Sequence, residues 1–150
     1  MPASDLDADR PLRTVDCTII GAVRTPYKRL QDCPRTVHDN PALCTLALDP
    51  AYADGLLGLE QESHVLVLYW LDRARRDWLR RPARPDRPEV GVFALRTPNR
   101  PNPIAAIVVP VIEVRANEVD VRGMDCLDGT PLLDIKRAVV FEAGAARGLI

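Results

Sequence analysis

Residues 104–124 read Ile104-Ala-Ala-Ile-Val-Val-Pro-Val-Ile-Glu-Val-Arg115-Ala-Asn-Glu-Val-Asp-Val-Arg-Gly-Met124. The first part, Ile104 to Val114, is rich in β-branched residues. In the second part Val119, Val121 and Gly123 alternate with Asp120 and Arg122. A period of two puts alternate side chains on opposite faces of a strand, so both parts read as strands joined in a hairpin through Ala116-Asn117. The apolar run is broken by Pro110 and is about half the length of a bilayer-spanning helix, so no membrane span is expected.

The same grammar extends in both directions. Ser63 to Leu71, with His64-Val-Leu-Val-Leu-Tyr-Trp70 at its centre, is nearly continuously apolar and reads as a buried central strand. Val15 to Val23 alternates and stops at Thr25-Pro26, which predicts a first strand. Leu43 to Leu48 and Val90 to Leu95 are short candidates, and Pro131 to Arg137 closes the series after the Asp128-Gly129 turn. Asp49-Pro50 offers an N-cap with proline at the first helical position, and Gly55 and Gly58 would end that short helix. A helical turn is also expected around Trp78. Closely spaced strands, tight turns and little helix predict a mostly β protein, a small single-sheet antiparallel β-barrel with one or two short helices. The expected organisation is a flexible leader over 1–14, the barrel domain over 15–143 and a tail over 144–150.

Composition sets the outer limits. A chain of 150 residues with 47% hydrophobic and 27% charged side chains is an ordinary globular domain. Its first sixteen residues carry four Asp against two Arg with no apolar core, so a secretory signal is not expected and the cytoplasm is the expected location. Cys17, Cys33, Cys44 and Cys126 form no C-x-x-C pair, and with only His38 and His64 beside them no metal set is expected. Strands alternating with long helices and a G-x-G-x-x-G turn are both missing, so a Rossmann-type nucleotide fold is a poor match.

Net charge is −1, yet Arg73 to Arg87 holds seven Arg and two Asp, a local balance of +5. Such a stretch is either an electrostatic footprint for phosphates, with Arg76, Arg80 and Arg81 as candidate RNA contacts, or a solvated loop. The next segment, Gly91-Val-Phe-Ala-Leu-Arg96-Thr-Pro-Asn-Arg100-Pro-Asn102-Pro-Ile104, interleaves proline with Arg and Asn. Proline fixes φ, so these donors are pre-organised for a carboxylate or phosphate, or else form an ordinary edge loop. A second segment is Gly123-Met-Asp125-Cys-Leu127-Asp128-Gly129-Thr130-Pro-Leu-Leu-Asp134-Ile-Lys136. There the glycine turn would let backbone groups approach a flat purine, and Asp134 and Lys136 share a strand face.

Together these two segments resemble the signature of the TsaA-like (TrmO-type) family, G-V-F-A-T-R-S-x-x-R-P-N-P-I-G followed after one hairpin by L-D-x-x-D-G-T-P-x-x-D-I-K. Upstream, Ile20-Gly-Ala-Val-Arg-Thr-Pro-Tyr-Lys28 and Gly58-Leu-Glu-Gln-Glu-Ser-His64 are similar to two further blocks in the same order. The resemblance spans about residues 18 to 141. It implies a β-barrel that binds S-adenosylmethionine, commonly as a homodimer with the cofactor near the interface, and N6-methylates a threonylcarbamoyl-modified adenosine in tRNA. Carried onto matching positions, it assigns cofactor binding to Arg96, Asp125, Leu127, Asp128, Gly129 and Thr130, with Arg35 of a P-R loop and the pair Asp72-Arg73. Apart from the resemblance, the stiff Pro-flanked loop and the donor chemistry suggest catalytic roles for Asn102, accepting from the N6 amine, and for Arg100 or Lys136, holding a phosphate or the threonyl carboxylate. Ala105 and Ile107 stand where the family commonly has glycine and serine, and Thr36-Val37 where it has Q-P. A cofactor-binding sensor or assembly module without catalysis, and a purely structural β-module, are the competing readings.

Overall fold

The structure, a computed structural model, describes residues 13–35 and 41–146. Most of the expected leader, Thr36-Val37 and the last four residues lie outside them. Six strands close into an antiparallel barrel: β1 (Gly21–Arg24), β2 (Leu43–Leu48), β3 (His64–Trp70), β6 (Ile104–Arg115), β7 (Glu118–Arg122) and β8 (Thr130–Arg137), in the order β1-β2-β7-β6-β3-β8. Two further strands, β4 (Arg80–Arg81) and β5 (Val90–Gly91), form a separate hairpin between β3 and β6. A short helix, α1 (Val140–Ala146), follows β8.

Closure places alternate side chains in one interior. Cys44, Leu46 and Leu48 of β2, Val65, Val67 and Tyr69 of β3, Val119 and Val121 of β7, and Leu132 of β8 pack with Val23 and Met124. The predicted central strand is central: β3 pairs with β6 from His64↔Pro110 to Trp70↔Ile104 and with β8 on its other side. The β3–β8 register slips at Leu133, because Leu68 faces Asp134 while Tyr69 faces Leu132. Such a bulge bends a strand and re-aims the side chains beside it.

Four local expectations are corrected. The first strand begins only at Gly21: β1 lies between β2 and β8, whose ladders both end there, and without a partner Val15 and Ile19 are 86% and 56% exposed. The helix after Asp49 is a 3-10 helix, Pro50–Leu56, with the Asp49 carboxylate accepting from the Ala51 N–H at 2.9 Å as expected of an N-cap. No helical turn forms around Trp78. Val90–Leu95 yields only the two residues of β5 before a 3-10 turn over Val92–Ala94, because the sole strand available to pair with it is the two-residue β4.

All neighbouring strands run antiparallel, so the barrel has two distinct ends. The connections after β1, β3 and β7 all emerge at one of them, and those after β2, β6 and β8 at the other. At the first end the β7–β8 loop is pinned to the end of β1. Asp128 accepts from the Thr25 N–H at 3.0 Å and pairs with Lys28, while the N–H groups of Asp128 and Gly129 donate to Tyr27 and Val23, each at 2.8 Å. Gly129 sits at φ 84°, a conformation that favours glycine.

Two outcomes follow. At Gly21 an added Cβ would lie 2.1 Å from the Ala47 carbonyl oxygen and 2.8 Å from Leu48 Cα. Gly21→Ala is therefore expected to destabilise by about 1–3 kcal/mol in denaturant unfolding. Gly55→Ala, where nothing lies within 4 Å, should not. Lys28 and the Thr25 N–H hold the Asp128 carboxyl below the ordinary carboxylate range. Its stabilisation is thus present above the unfolded value of about 4 and lost as pH falls through the lowered one. The Asp128→Asn variant should show a flatter stability profile than the parent across that acid window.

Candidate functional site

At the end of the barrel where β3 stops and β6 and β8 begin, a cavity of about 890 Å³ opens. Four chain segments build it: the β1–β2 loop, the chain leaving β3, the proline-rich segment entering β6 with its first strand residues, and the β7–β8 loop. Its volume falls within the roughly 300–1,000 Å³ of small-molecule sites. Leu30, Leu71, Leu95, Ile104 and Ile107 supply apolar wall. Four arginines, Arg35, Arg73, Arg96 and Arg100, and two aspartates, Asp72 and Asp125, belong to the same lining. A ligand with an apolar body and both charge signs suits this lining.

Asp125 is held from the barrel interior. Tyr69, the last inward residue of β3, is buried and its hydroxyl donates to Asp125 Oδ1. Burial first, and the neighbouring Asp125 second, push the Tyr69 phenol up, so it remains a neutral donor. The Arg96 guanidinium donates to the Ala106 carbonyl on β6, fixing one side of the opening. Arg100 donates through one nitrogen to the carbonyls of Leu95 and Thr97, both at 3.0 Å, and so ties the proline-rich loop to itself. Cys33, also in the lining, has its thiol pushed up by burial and by Asp125, and Cys126 is pushed up to about 12, chiefly by burial. Both stay protonated near neutrality and are poor nucleophiles.

Most of the residues assigned from sequence converge here. Arg35, Asp72, Arg73 and Arg96 line the cavity, as do Asp125, Leu127 and Thr130; Arg100 does too. Asp128 and Gly129 stand behind the lining, where they shape the turn that carries Leu127 and Thr130. Asn102 is also outside it, and its Oδ1 accepts from Arg76 at 3.2 Å. Lys136 lies beyond the lining on β8 and pairs with Asp134 at 2.6 Å. Arg76 stacks 5.2 Å from the Trp70 ring and donates to the Pro101 carbonyl, while Arg80 pairs with Glu89 at 3.1 Å.

Tyr69 escaped the reading of the sequence. The available signal was its place as the third inward residue of β3, since a buried phenol must find an acceptor for its hydroxyl.

The geometry agrees with what this chain is similar to. A family model described as the tRNA-methyltransferase O N-terminal domain matches residues 22–141. A protein of Archaeoglobus fulgidus named S-adenosyl-L-methionine-binding protein is 45% identical, over 79% of this chain and 85% of its own length. A Pseudomonas aeruginosa protein named putative S-adenosylmethionine-dependent methyltransferase RcsF is 37% identical, over 81% of this chain and 54% of its own. Among solved structures, TrmO from Pseudomonas aeruginosa superposes with a TM-score of 0.71 at 35% identity, covering 86% of this chain and 58% of that one. The chain thus spans little more than half the length of these two Pseudomonas proteins. The motifs read in order from the sequence, the closed barrel and a family match over most of the described residues lead to one conclusion: the chain belongs to the tRNA-methyltransferase O N-terminal domain family.

Proposed function

We propose that this chain binds S-adenosylmethionine in the barrel-end cavity and methylates N6 of an adenosine in tRNA, the acceptor being the threonylcarbamoyl-modified base. The observation that carries the reading is the convergence of the motif residues Arg96, Asp125, Leu127 and Thr130 on one cavity of mixed charge with apolar walls. The lining fits the cofactor. Aliphatic side chains suit a purine face, carboxylates suit ribose hydroxyls or an ammonium, and guanidinium groups suit a carboxylate.

When bound, the cofactor would supply a methyl group on a positively charged sulfur, open to in-line displacement by the carbamoylated N6 nitrogen, which gives up its proton to solvent as the neutral thioether leaves. The residues of this chain do the positioning. Asp125, oriented by Tyr69, accepts from the ligand, while Asp72, Arg35, Arg73 and Arg96 complete the binding set. Asp128 and Gly129 serve the same site by holding its turn. Arg100, stiffened by its bonds to Leu95 and Thr97, keeps donors for an acceptor phosphate or carboxylate. Asn102 acts through Arg76, and Lys136 is left out of the catalytic set.

A homodimer is part of this reading, since the cavity rim exposes apolar Leu30 and Ile104, 69% and 44% open, for a second copy to cover. So is a cytoplasmic setting, which the free thiols of the buried Cys44 and Cys126 suit. One observation favours binding without transfer: Ala105 and Ile107 make the wall beside the pocket aliphatic.

Incubation with methyl-labelled cofactor and unfractionated tRNA decides between the two, and label in N6-methylated adenosine is the expected result. Binding by calorimetry without any incorporation would leave the sensor reading. Tyr69→Phe should weaken cofactor binding about tenfold, because it removes a hydrogen bond to a carboxylate. An unchanged Kd in the folded variant would remove Tyr69 from the site.

A further inference from the structure

The β4–β5 hairpin grows out of the cavity rim. The lining residues Asp72, Arg73 and Ala74 precede it and the lining residues from Leu95 to Arg100 follow it. Both legs are stitched together: Arg100 N–H donates to Arg75 O at 3.1 Å, Arg75 N–H to Asn99 Oδ1 at 3.1 Å and Val92 N–H to Leu79 O at 3.0 Å. Beyond Arg81↔Val90, the hairpin is closed at its tip by the bridge Arg84↔Arg87, in which each N–H donates to the other's carbonyl. Pro82, Pro85 and Pro88 stiffen this tip.

The arginines of the lobe fall into two sets. Arg75 is bound bidentately by Asp77, at 2.8 and 2.9 Å, Arg76 braces Pro101 and Asn102, and Arg80 pairs with Glu89. Arg81 and Arg87 are different. Both are half-buried, and the Nε–H of each is buried with no hydrogen-bond partner among the described residues. Burial, and then the neighbouring Arg81 and Arg84 cations, lower the Arg87 guanidinium from its ordinary value, which marks crowding of like charge. A donor without an acceptor is unfavourable and crowded cations repel, so the cluster gains from an anion that accepts from several guanidinium groups together.

We infer that Arg81, Arg84 and Arg87 form a docking site for backbone phosphates of RNA, set on a stiff arm beside the cavity. This deepens the proposed function and rests on its RNA acceptor. It also selects among the candidates drawn from sequence, keeping Arg81, releasing Arg76 and Arg80 to internal pairs, and adding Arg84 and Arg87. Because the arm and the cavity rim are one continuous bonded unit, phosphates held at the tip set the distance from the backbone to a base entering the cavity.

The test is filter binding of unfractionated tRNA across a salt series, with calorimetry of S-adenosylmethionine on the same proteins. The triple variant Arg81→Gln, Arg84→Gln, Arg87→Gln should lose about tenfold or more in tRNA affinity and up to roughly two units of log–log salt slope, while keeping its cofactor affinity. The triple Arg→Lys variant, which keeps the charge without the planar guanidinium fork, should retain the slope and still bind tRNA more weakly. Arg137→Gln, on β8 at the opposite barrel end, removes one charge as a control and should leave the slope as it is. Unchanged slope and affinity in a triple Gln variant that still binds the cofactor would overturn the inference, as would an equal loss per charge in the control. A parent protein that binds tRNA through the cluster but takes no cofactor would sink the proposed function and leave the docking site standing.

Discussion

Closure of the barrel through β1 is the constraint on which the rest depends. Only four residues long, this strand bonds to β2 on one side and to β8 on the other, and without it both would be open edges. The fit is tight enough that Gly21 has no room for a side chain against the β2 backbone. Once the ring is closed, alternate positions of all six strands have a single interior to fill. The apolar residues at those positions then form one core.

Closure also divides the labour between the ends. At the end where β6 turns into β7 the connection is two residues long, Ala116-Asn117, and the Asn117 amide is spent on the Leu48 carbonyl at 2.6 Å. That end completes the fold. At the other end the β1–β2, β3–β6 and β7–β8 connections meet and enclose a cavity. Tyr69 joins the two regions: its ring belongs to the packed interior and its hydroxyl reaches the cavity carboxylate Asp125. The β8 bulge opposite it bends the wall at the place where the interior gives way to the site.

The long β3–β6 connection shows how a charged, proline-rich segment can be ordered without regular structure. Guanidinium groups replace a ladder. Arg100 binds two carbonyls of its own loop, Arg76 lies over Trp70 while bonding Pro101 and Asn102, and Arg75 lies 5.5 Å from Trp78. Proline lowers the entropy lost on ordering, and arginine satisfies the carbonyls that proline's missing N–H groups leave without partners.

Alternation, β-branched apolar runs and turn chemistry in the sequence determined the all-β class, and β2, β3 and β6 stand almost where those signals drew them, because short β-branched runs bounded by turn residues fit a paired, buried sheet. The motif blocks likewise pointed to Arg96, Asp125, Leu127 and Thr130 before any geometry was at hand. Where a strand begins is a different matter: Val15 to Ile19 alternates as well as any strand, yet pairing needs a neighbour, and the ladders of β1 with β2 and with β8 both end at Gly21, beyond which β8 pairs with β3. The division of roles within motifs was equally hidden. Asp128 and Leu127 are adjacent in the chain, but only the turn decides that one braces β1 while the other faces the cavity. The same holds for the arginines, one residue type throughout, whose partners lie up to 26 residues away for Arg76 and, among the described residues, are missing at Nε for Arg81 and Arg87. Backbone periodicity is local and can be read from neighbours in the chain. Hydrogen-bond partnership is a three-dimensional property, and only the closed barrel and its loops determine it.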